Sequence, residues 1–280
     1  MKNYFGAIFT LLYVLSYKLI GPWSNEIDLY ICGFLLLIIG IPHGAGDHLI
    51  AQKIAKRENL TFHLRPFIVY YLGIMVAYAA LWFITPMVGF IIFIAISVFH
   101  FGDMEDIQPV DSTNTWINVV KTICLGSGIL SLILFSHWSE VSKITTAMQV
   151  NLPKNIPPFS LLFSLLLLSF GFQKKNFHPF LNTFFALVIG FFLPLIPAFI
   201  CYFSCCHAIT SFEGMRSHLE MKTLELYKKL IPFSLGALLL GIIYINLISK
   251  HLEIYPVFIF LSLLTLPHFL LMHKLIKRPN

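Results

Sequence analysis

Charged residues are scarce in this sequence. Asp, Glu, Lys and Arg make up 11% of the 280 residues, whereas 58% are hydrophobic, and the mean hydropathy is +0.81. In ordinary soluble domains about a quarter of the residues are charged, so the composition excludes that class. We predict an all-α fold, a polytopic transmembrane helix bundle with roughly 8–10 membrane segments.

The sequence also lacks the signals of several other kinds of protein and segment. The five cysteines lie in apolar runs without metal-finger spacing, so neither a zinc finger nor a disulfide framework is supported. No small-x-small cleavage site follows the first apolar run, which we therefore take as a membrane segment and not as a signal peptide. No linker to a second domain is recognisable. We expect one integral membrane domain over residues 1–280.

Windows of about 20 apolar residues predict most of the membrane segments. The run 179–212 is too long for one crossing, and Pro194 and Pro197 would break a helix there, so we divide it into two short spans or a re-entrant pair. This gives ten segments: 4–20, 30–50, 66–85, 87–102, 117–136, 157–172, 179–193, 198–212, 231–248 and 255–273. Between them, 137–156 is expected to be an external loop, and 213–229 an amphipathic interfacial helix.

The distribution of basic residues favours ten membrane segments, because positive charges concentrate in cytoplasmic loops. A net charge of +6 would suggest a nucleic-acid partner in a soluble protein, but here Lys and Arg lie between apolar runs, so we expect the lipid bilayer and no nucleic acid as partner. With both termini cytoplasmic, the inside holds fourteen basic residues: Lys2, Lys53, Lys56, Arg57, Arg65, Lys174, Lys175, Arg216, Lys222, Lys228, Lys229, Lys274, Lys277 and Arg278. The outside holds Lys18, Lys143, Lys154 and Lys250.

The stretch Gly40 to His48 (GIPHGAGDH) places two imidazoles and a carboxylate at the end of an apolar run. Ionisable groups within a membrane segment are costly and mark functional sites by default. Its three glycines weaken a helix but permit close approach of a neighbouring backbone. We therefore expect the site to be organised around this stretch.

Four histidines, His43, His100, His207 and His268, fall in the second halves of even-numbered segments. The predicted topology puts all four at one depth, towards the cytoplasm. Neutral imidazole is the commonest metal ligand, and helix bundles build metal sites from inward-facing side chains of different helices. The pattern favours a metal site, although chains of His and acidic residues also form proton relays.

Three further residues are candidates for supporting the ligands. Asp47 lies one helical turn after His43, and Asp103 follows His100 by three residues. Either carboxylate could accept the second ring N–H of a ligating histidine, although Asp103 also fits a solvated acidic loop. His48 is five residues after His43 and points to another helix face, so we place it around the ligands and not among them.

The motifs GIPHGAGDH at Gly40–His48, FHFGD at Phe99–Asp103, YFxxxH at Tyr202–His207 and LPH at Leu266–His268 occur in an order that resembles the Brp/Blh family of β-carotene 15,15′-dioxygenases. That resemblance implies an integral membrane enzyme that cleaves β-carotene to retinal with O₂ and non-haem Fe(2+). It also implies iron ligation by His43, His100, His207 and a histidine four residues after His207. Here that position is Ser211. Either three histidines suffice, or His268 or another residue is the fourth ligand, or this member is altered.

Three functions follow as expectations. The first is a carotenoid dioxygenase in the cell (inner) membrane, with β-carotene and O₂ as substrates and no catalytic residue beyond the metal site. The second is a metal or proton transporter lined by the same histidines, which segments broken at Pro194 and Pro197 would also suit. The third is a carotenoid-binding family member that has lost catalysis, which Ser211 keeps open.

Overall fold

The computed structural model describes residues 4–20, 25–105, 115–172, 177–248 and 254–276. All regular structure in these ranges is helical: α1 Phe5–Ile20, α2 Asn25–Leu35, the π-helical segment π1 Leu36–Gly40, α3 Ile41–Ala45, α4 Asp47–Arg57, α5 Leu64–Ile84, α6 Pro86–Glu105, α7 Thr115–Ser136, α8 Trp138–Ala147, α9 Ser160–Phe170, α10 Phe177–Gly190, α11 Leu195–Tyr202, the π-helical segment π2 Phe203–Ala208, α12 Ile209–Leu219, α13 Thr223–Ile248 and α14 Tyr255–Ile276. The predicted all-α fold is confirmed.

The apolar helices match the ten predicted segments one by one. Within the described residues, seven helical runs are long and apolar enough to cross a membrane, and three shorter apolar helices accompany them, at Phe5–Leu19, Ser160–Phe170 and Phe177–Gly190. The division of 179–212 at Pro194 is also found, because α10 ends at Gly190 and α11 begins at Leu195. The chain is a polytopic membrane protein.

Which side of the membrane each loop faces stays a prediction. Six of the basic residues lie outside the described residues, at positions 2, 174, 175, 250, 277 and 278.

Two connecting stretches differ from expectation. The predicted loop 137–156 contains helix α8, and only its last part is irregular. The predicted single helix 213–229 is divided between α12 and α13, with Glu220 in the left-handed region at φ 53°. Hydropathy is averaged over a window, so it detects neither a short helix such as α8 nor the three-residue interruption between α12 and α13.

The chain folds into two compact units, each assembled from separate stretches. Unit 1 comprises Met1–Gly40, Val98–Val141 and Pro153–Phe212, and unit 2 comprises Ile41–Ser97, Ser142–Leu152 and Glu213–Asn280. The expectation of one integral domain over 1–280 stays a prediction.

Unit 1 is held together by close helix approaches. Helix α7 packs along α9, and α1 packs along α10. A Cβ atom on Gly126 of α7 would lie 1.8 Å from the carbonyl oxygen of Val98 in α6, and one on Gly102 would lie 2.1 Å from that of Thr122. Only glycine allows the α6 and α7 backbones to come this close, as small residues do in membrane helix pairs.

Unit 2 has its core around α5, α8 and α14. Buried residues of α5, of α14 and of the chain just after α8 form one apolar cluster: Met75, Tyr78, Trp82, Met148, Val150, Ile259 and Leu263. Helix α14 also packs against α4, and α13 against α3. A Cβ atom on Gly46 would lie 2.1 Å from the sulfur of Met215. Because Gly46 has no side chain, Met215 can pack directly against the backbone at the start of α4.

Candidate metal centre

Both π-helical segments lie at histidine motifs. Segment π2 contains His207, and π1 ends three residues before His43. Each belongs to unit 1, where the two segments pack against each other. A Cβ atom on Gly40 would lie 3.0 Å from the ring of Phe203, and Phe203 in turn stacks on His207 with ring centroids 5.7 Å apart. Because π-turns within α-helices are frequent at functional sites, this local geometry supports the assignment of His207 as a functional residue.

In unit 1 the structure brings together His100 and His207. Both side chains are buried, His207 completely, at 0% exposure. Their Nε2 atoms lie 3.2 Å apart, and the two rings meet edge to face. The ring of Phe101 lies 4.9 Å from that of His207. Two imidazole nitrogens therefore converge on one point inside an apolar and aromatic environment.

In unit 2 the structure brings together His43, His268 and Asp47, all of them buried. The rings of His43 and His268 lie 4.7 Å apart, edge to face. The Nδ1 atom of His268 lies 2.6 Å from Oδ1 of Asp47. The sequence predicts that Asp47 accepts an N–H from a ligating histidine, and the histidine that it contacts is His268 of α14. This contact fixes the ring of His268, leaving Nε2 as its second nitrogen.

Tyr71 was missed by the sequence analysis. Its hydroxyl group donates to Oδ2 of Asp47 at 2.9 Å and lies 3.4 Å from the carbonyl oxygen of Leu264. Both oxygens of the Asp47 carboxylate are thus engaged, one by Tyr71 and one by His268. A tyrosine inside an apolar segment, here in α5, is a weak signal, because the hydroxyl group of a buried tyrosine usually finds some partner.

The remaining candidates occupy different positions. His48 stacks on Phe233 with ring centroids 3.7 Å apart, and its Nδ1 atom lies 3.0 Å from the carbonyl oxygen of Ala45. Asp103 is half-buried near the end of α6. Ser211 is buried in α12, one turn after His207. The supporting roles predicted for His48 and Asp103 stay predictions.

The donor chemistry of each unit suits a divalent transition metal. Imidazole nitrogen is a good ligand for Fe, Zn, Cu and Ni, and each unit carries two buried histidines next to each other. The hydrogen bond that the Nδ1–H of His268 donates to the Asp47 carboxylate is the arrangement that orients metal-binding histidines in proteins. The residues present therefore fit a metal such as Fe(2+).

The family of the chain follows from comparison with known proteins. Residues 34–276 match the family model for beta-carotene 15,15'-dioxygenase, so the chain belongs to that family. A protein of the uncultured marine bacterium 66A03, named beta-carotene 15,15'-dioxygenase, is 26% identical over 262 residues, which cover 88% of this chain and 93% of that protein. No solved structure matches the chain.

Proposed function

We propose that this protein is a dioxygenase that cleaves β-carotene, or a related carotenoid, at its central double bond with O₂ to give retinal, in the cell (inner) membrane. The family match over residues 34–276 supports the reaction class. The observation that carries the proposal is that His43, His100, His207 and His268 are all buried, although histidine is seldom fully buried without a specific partner.

We further propose that one Fe(2+) is held by His43, His100 and His207, with His268 as the fourth ligand. The contact of His268 with Asp47 supports this choice over Ser211, because that contact is of the kind that orients metal-binding histidines, and a serine hydroxyl is a poor ligand for Fe(2+). When bound, Fe(2+) supplies the capacity to bind and activate O₂.

The roles of the surrounding residues follow from their contacts. Asp47 holds the Nδ1–H of His268 and is itself held by Tyr71, so the ring orientation of His268 is set by two hydrogen-bonded partners. Phe101 and Phe203 pack against His207 and keep water from it. Flat apolar rings are also suitable neighbours for a polyene, and a carotenoid partitions into the lipid in which an intramembrane site is embedded.

The test is an assay of the purified protein with β-carotene, Fe(2+) and O₂, in which retinal and bound iron are measured together. We expect retinal from the wild type, none from His100→Ala, and undiminished retinal from His178→Ala, because His178 is an exposed histidine at the start of α10. Iron binding without cleavage would favour the carotenoid-binding alternative. Metal uptake into vesicles that contain the protein, without cleavage, would favour the transporter.

A further inference from the structure

His137 lies in unit 1 directly after α7 and is buried. Its Nδ1 atom lies 2.8 Å from the carbonyl oxygen of Ile133 in the last turn of α7. Its Nε2 atom lies 2.8 Å from the carbonyl oxygen of Leu193, in the break that follows α10. Both ring nitrogens of one imidazole therefore point at backbone carbonyl oxygens.

The two contacts of His137 can both be hydrogen bonds in only one protonation state of the ring. A carbonyl oxygen can only accept a hydrogen bond, so both ring nitrogens must carry a proton for both contacts to be hydrogen bonds. The ring is then a cation that lies at the C-terminal ends of two helices, α7 and α10. The negative end of each helix dipole stabilises a cation at that position.

Glu140, three residues later, contacts the other side of the same break. Its Oε2 atom accepts a hydrogen bond of 3.1 Å from the backbone N–H of Leu195, the first residue of α11. The residue before it, Pro194, has no N–H to donate. A carboxylate at a helix N-terminus is favourable both as an acceptor and as a negative charge. Lys18 lies 5.0 Å from the ring of Phe192 in the break and is a further charged group on this side of it.

We propose that His137 and Glu140 form a clamp, the His137/Glu140 clamp, that fixes the break between α10 and α11 and thereby positions His207. Helix α11 continues through π2 to His207 without interruption. His207 lies twelve positions after Leu195, about 18 Å along the axis at the α-helical rise. A rotation or shift at the start of α11 is therefore transmitted along the helix to His207. The positioning of His207 as an iron ligand rests on the proposed function, whereas the clamp itself does not.

The protonation of His137 is tested on the wild-type protein alone, by the ¹⁵N chemical shifts of its ring nitrogens at neutral pH. We expect both nitrogens to have the shifts of protonated imidazole nitrogens, with no tautomeric averaging. A neutral ring, with one nitrogen at the shift of an unprotonated acceptor, would overturn the proposal, since only one of the two carbonyl contacts would then be a hydrogen bond.

The positioning role is tested with Glu140→Ala and Glu140→Gln. The alanine removes the acceptor for the Leu195 N–H, whereas the glutamine retains an amide oxygen that can accept it. We expect Glu140→Ala to weaken Fe(2+) binding about tenfold and Glu140→Gln to restore most of it. The ring ¹⁵N resonances of His207 should move in Glu140→Ala. The control His178→Gln, at the opposite end of α10, should leave both readouts unchanged.

The outcomes separate the clamp from the proposed function. Unchanged His207 resonances and unchanged Fe(2+) affinity in Glu140→Ala would overturn the positioning role, and so would equal losses in the alanine and glutamine variants. If the wild type binds no Fe(2+), the proposed function fails, and the His207 resonances alone decide whether Glu140 positions that residue.

Discussion

The Nδ1 atom of His268 lies 2.6 Å from a carboxylate oxygen of Asp47, although the two residues are 221 positions apart in the chain. The contact connects the GIPHGAGDH stretch to the last helix of unit 2 and gives His268 a fixed ring orientation. His268 is thereby the better candidate for the ligand position that Ser211 leaves open. Substitution of Asp47 is therefore a direct test of the proposed metal site.

Asp47→Asn should weaken Fe(2+) binding by about 10–100-fold, because loss of a carboxylate that orients a metal-binding histidine typically has an effect of that size. The measurement is titration of the metal-free protein with Fe(2+). Asp103→Asn is the matched control and should change the affinity less, since Asp103 is only half-buried. Equal losses in the two variants would contradict a distinct role for the Asp47–His268 contact.

His43→Ala and His100→Ala should each abolish iron binding, because a site in which Ser211 replaces a histidine has no ligand to spare. His48→Ala should be milder, since His48 stacks on Phe233 and bonds Ala45. Iron content per chain after purification distinguishes these cases. A fully loaded His43→Ala or His100→Ala protein would remove that histidine from the ligand set.

Ser211→His should keep the iron but lower retinal formation if His268 is the fourth ligand, because a fifth imidazole would crowd the centre and occupy a position needed by oxygen. Ser211 is 1% exposed, so the larger side chain has little other space to fill. In the same assay His268→Ala should lose iron. Full activity in His268→Ala, or tighter iron binding with higher activity in Ser211→His, would instead favour a centre of three histidines.

Gly126→Ala should destabilise the protein by about 1–3 kcal/mol, the usual cost of forcing a methyl group into a packed contact. Its Cβ would lie 1.8 Å from the Val98 carbonyl oxygen, close to His100 on the same helix. Thermal unfolding in detergent measures the effect. Gly73→Ala is the control, because nothing lies within 4 Å of a Cβ at that position, and a glycine-to-alanine change in an open helix position is neutral or stabilising. A melting temperature lowered equally in both would argue against the close α6–α7 contact.

A topology reporter fused after Lys229 should be read as cytoplasmic. The prediction follows from fourteen basic residues on the cytoplasmic side against four outside. Within unit 1 the contacts agree with it: the end of α7 meets the break between α10 and α11 through His137 and Glu140, so these ends lie on one side of the membrane. An external reporter would mean that 179–212 crosses the membrane once.

The helical architecture and the candidate histidines could be predicted from the amino-acid sequence. Hydropathy sets where a membrane helix forms, because a buried backbone in lipid must satisfy its own hydrogen bonds, and Pro194 and Pro197 predict the break between α10 and α11 for the same reason. The histidines stand out because imidazoles are rare and costly in apolar segments. These are local properties, because each can be recognised from the sequence of a single segment.

Which side chains contact each other could not be predicted from the sequence and depends on how the helices pack. The partner of Asp47 is His268, the second donor to Asp47 is Tyr71, and a histidine expected in a polar connection, His137, is buried against two carbonyl oxygens. Each of these contacts depends on the rotation of one helix about its axis and on its packing against another. The hydropathy pattern defines neither quantity, because nearly every face of these helices is apolar.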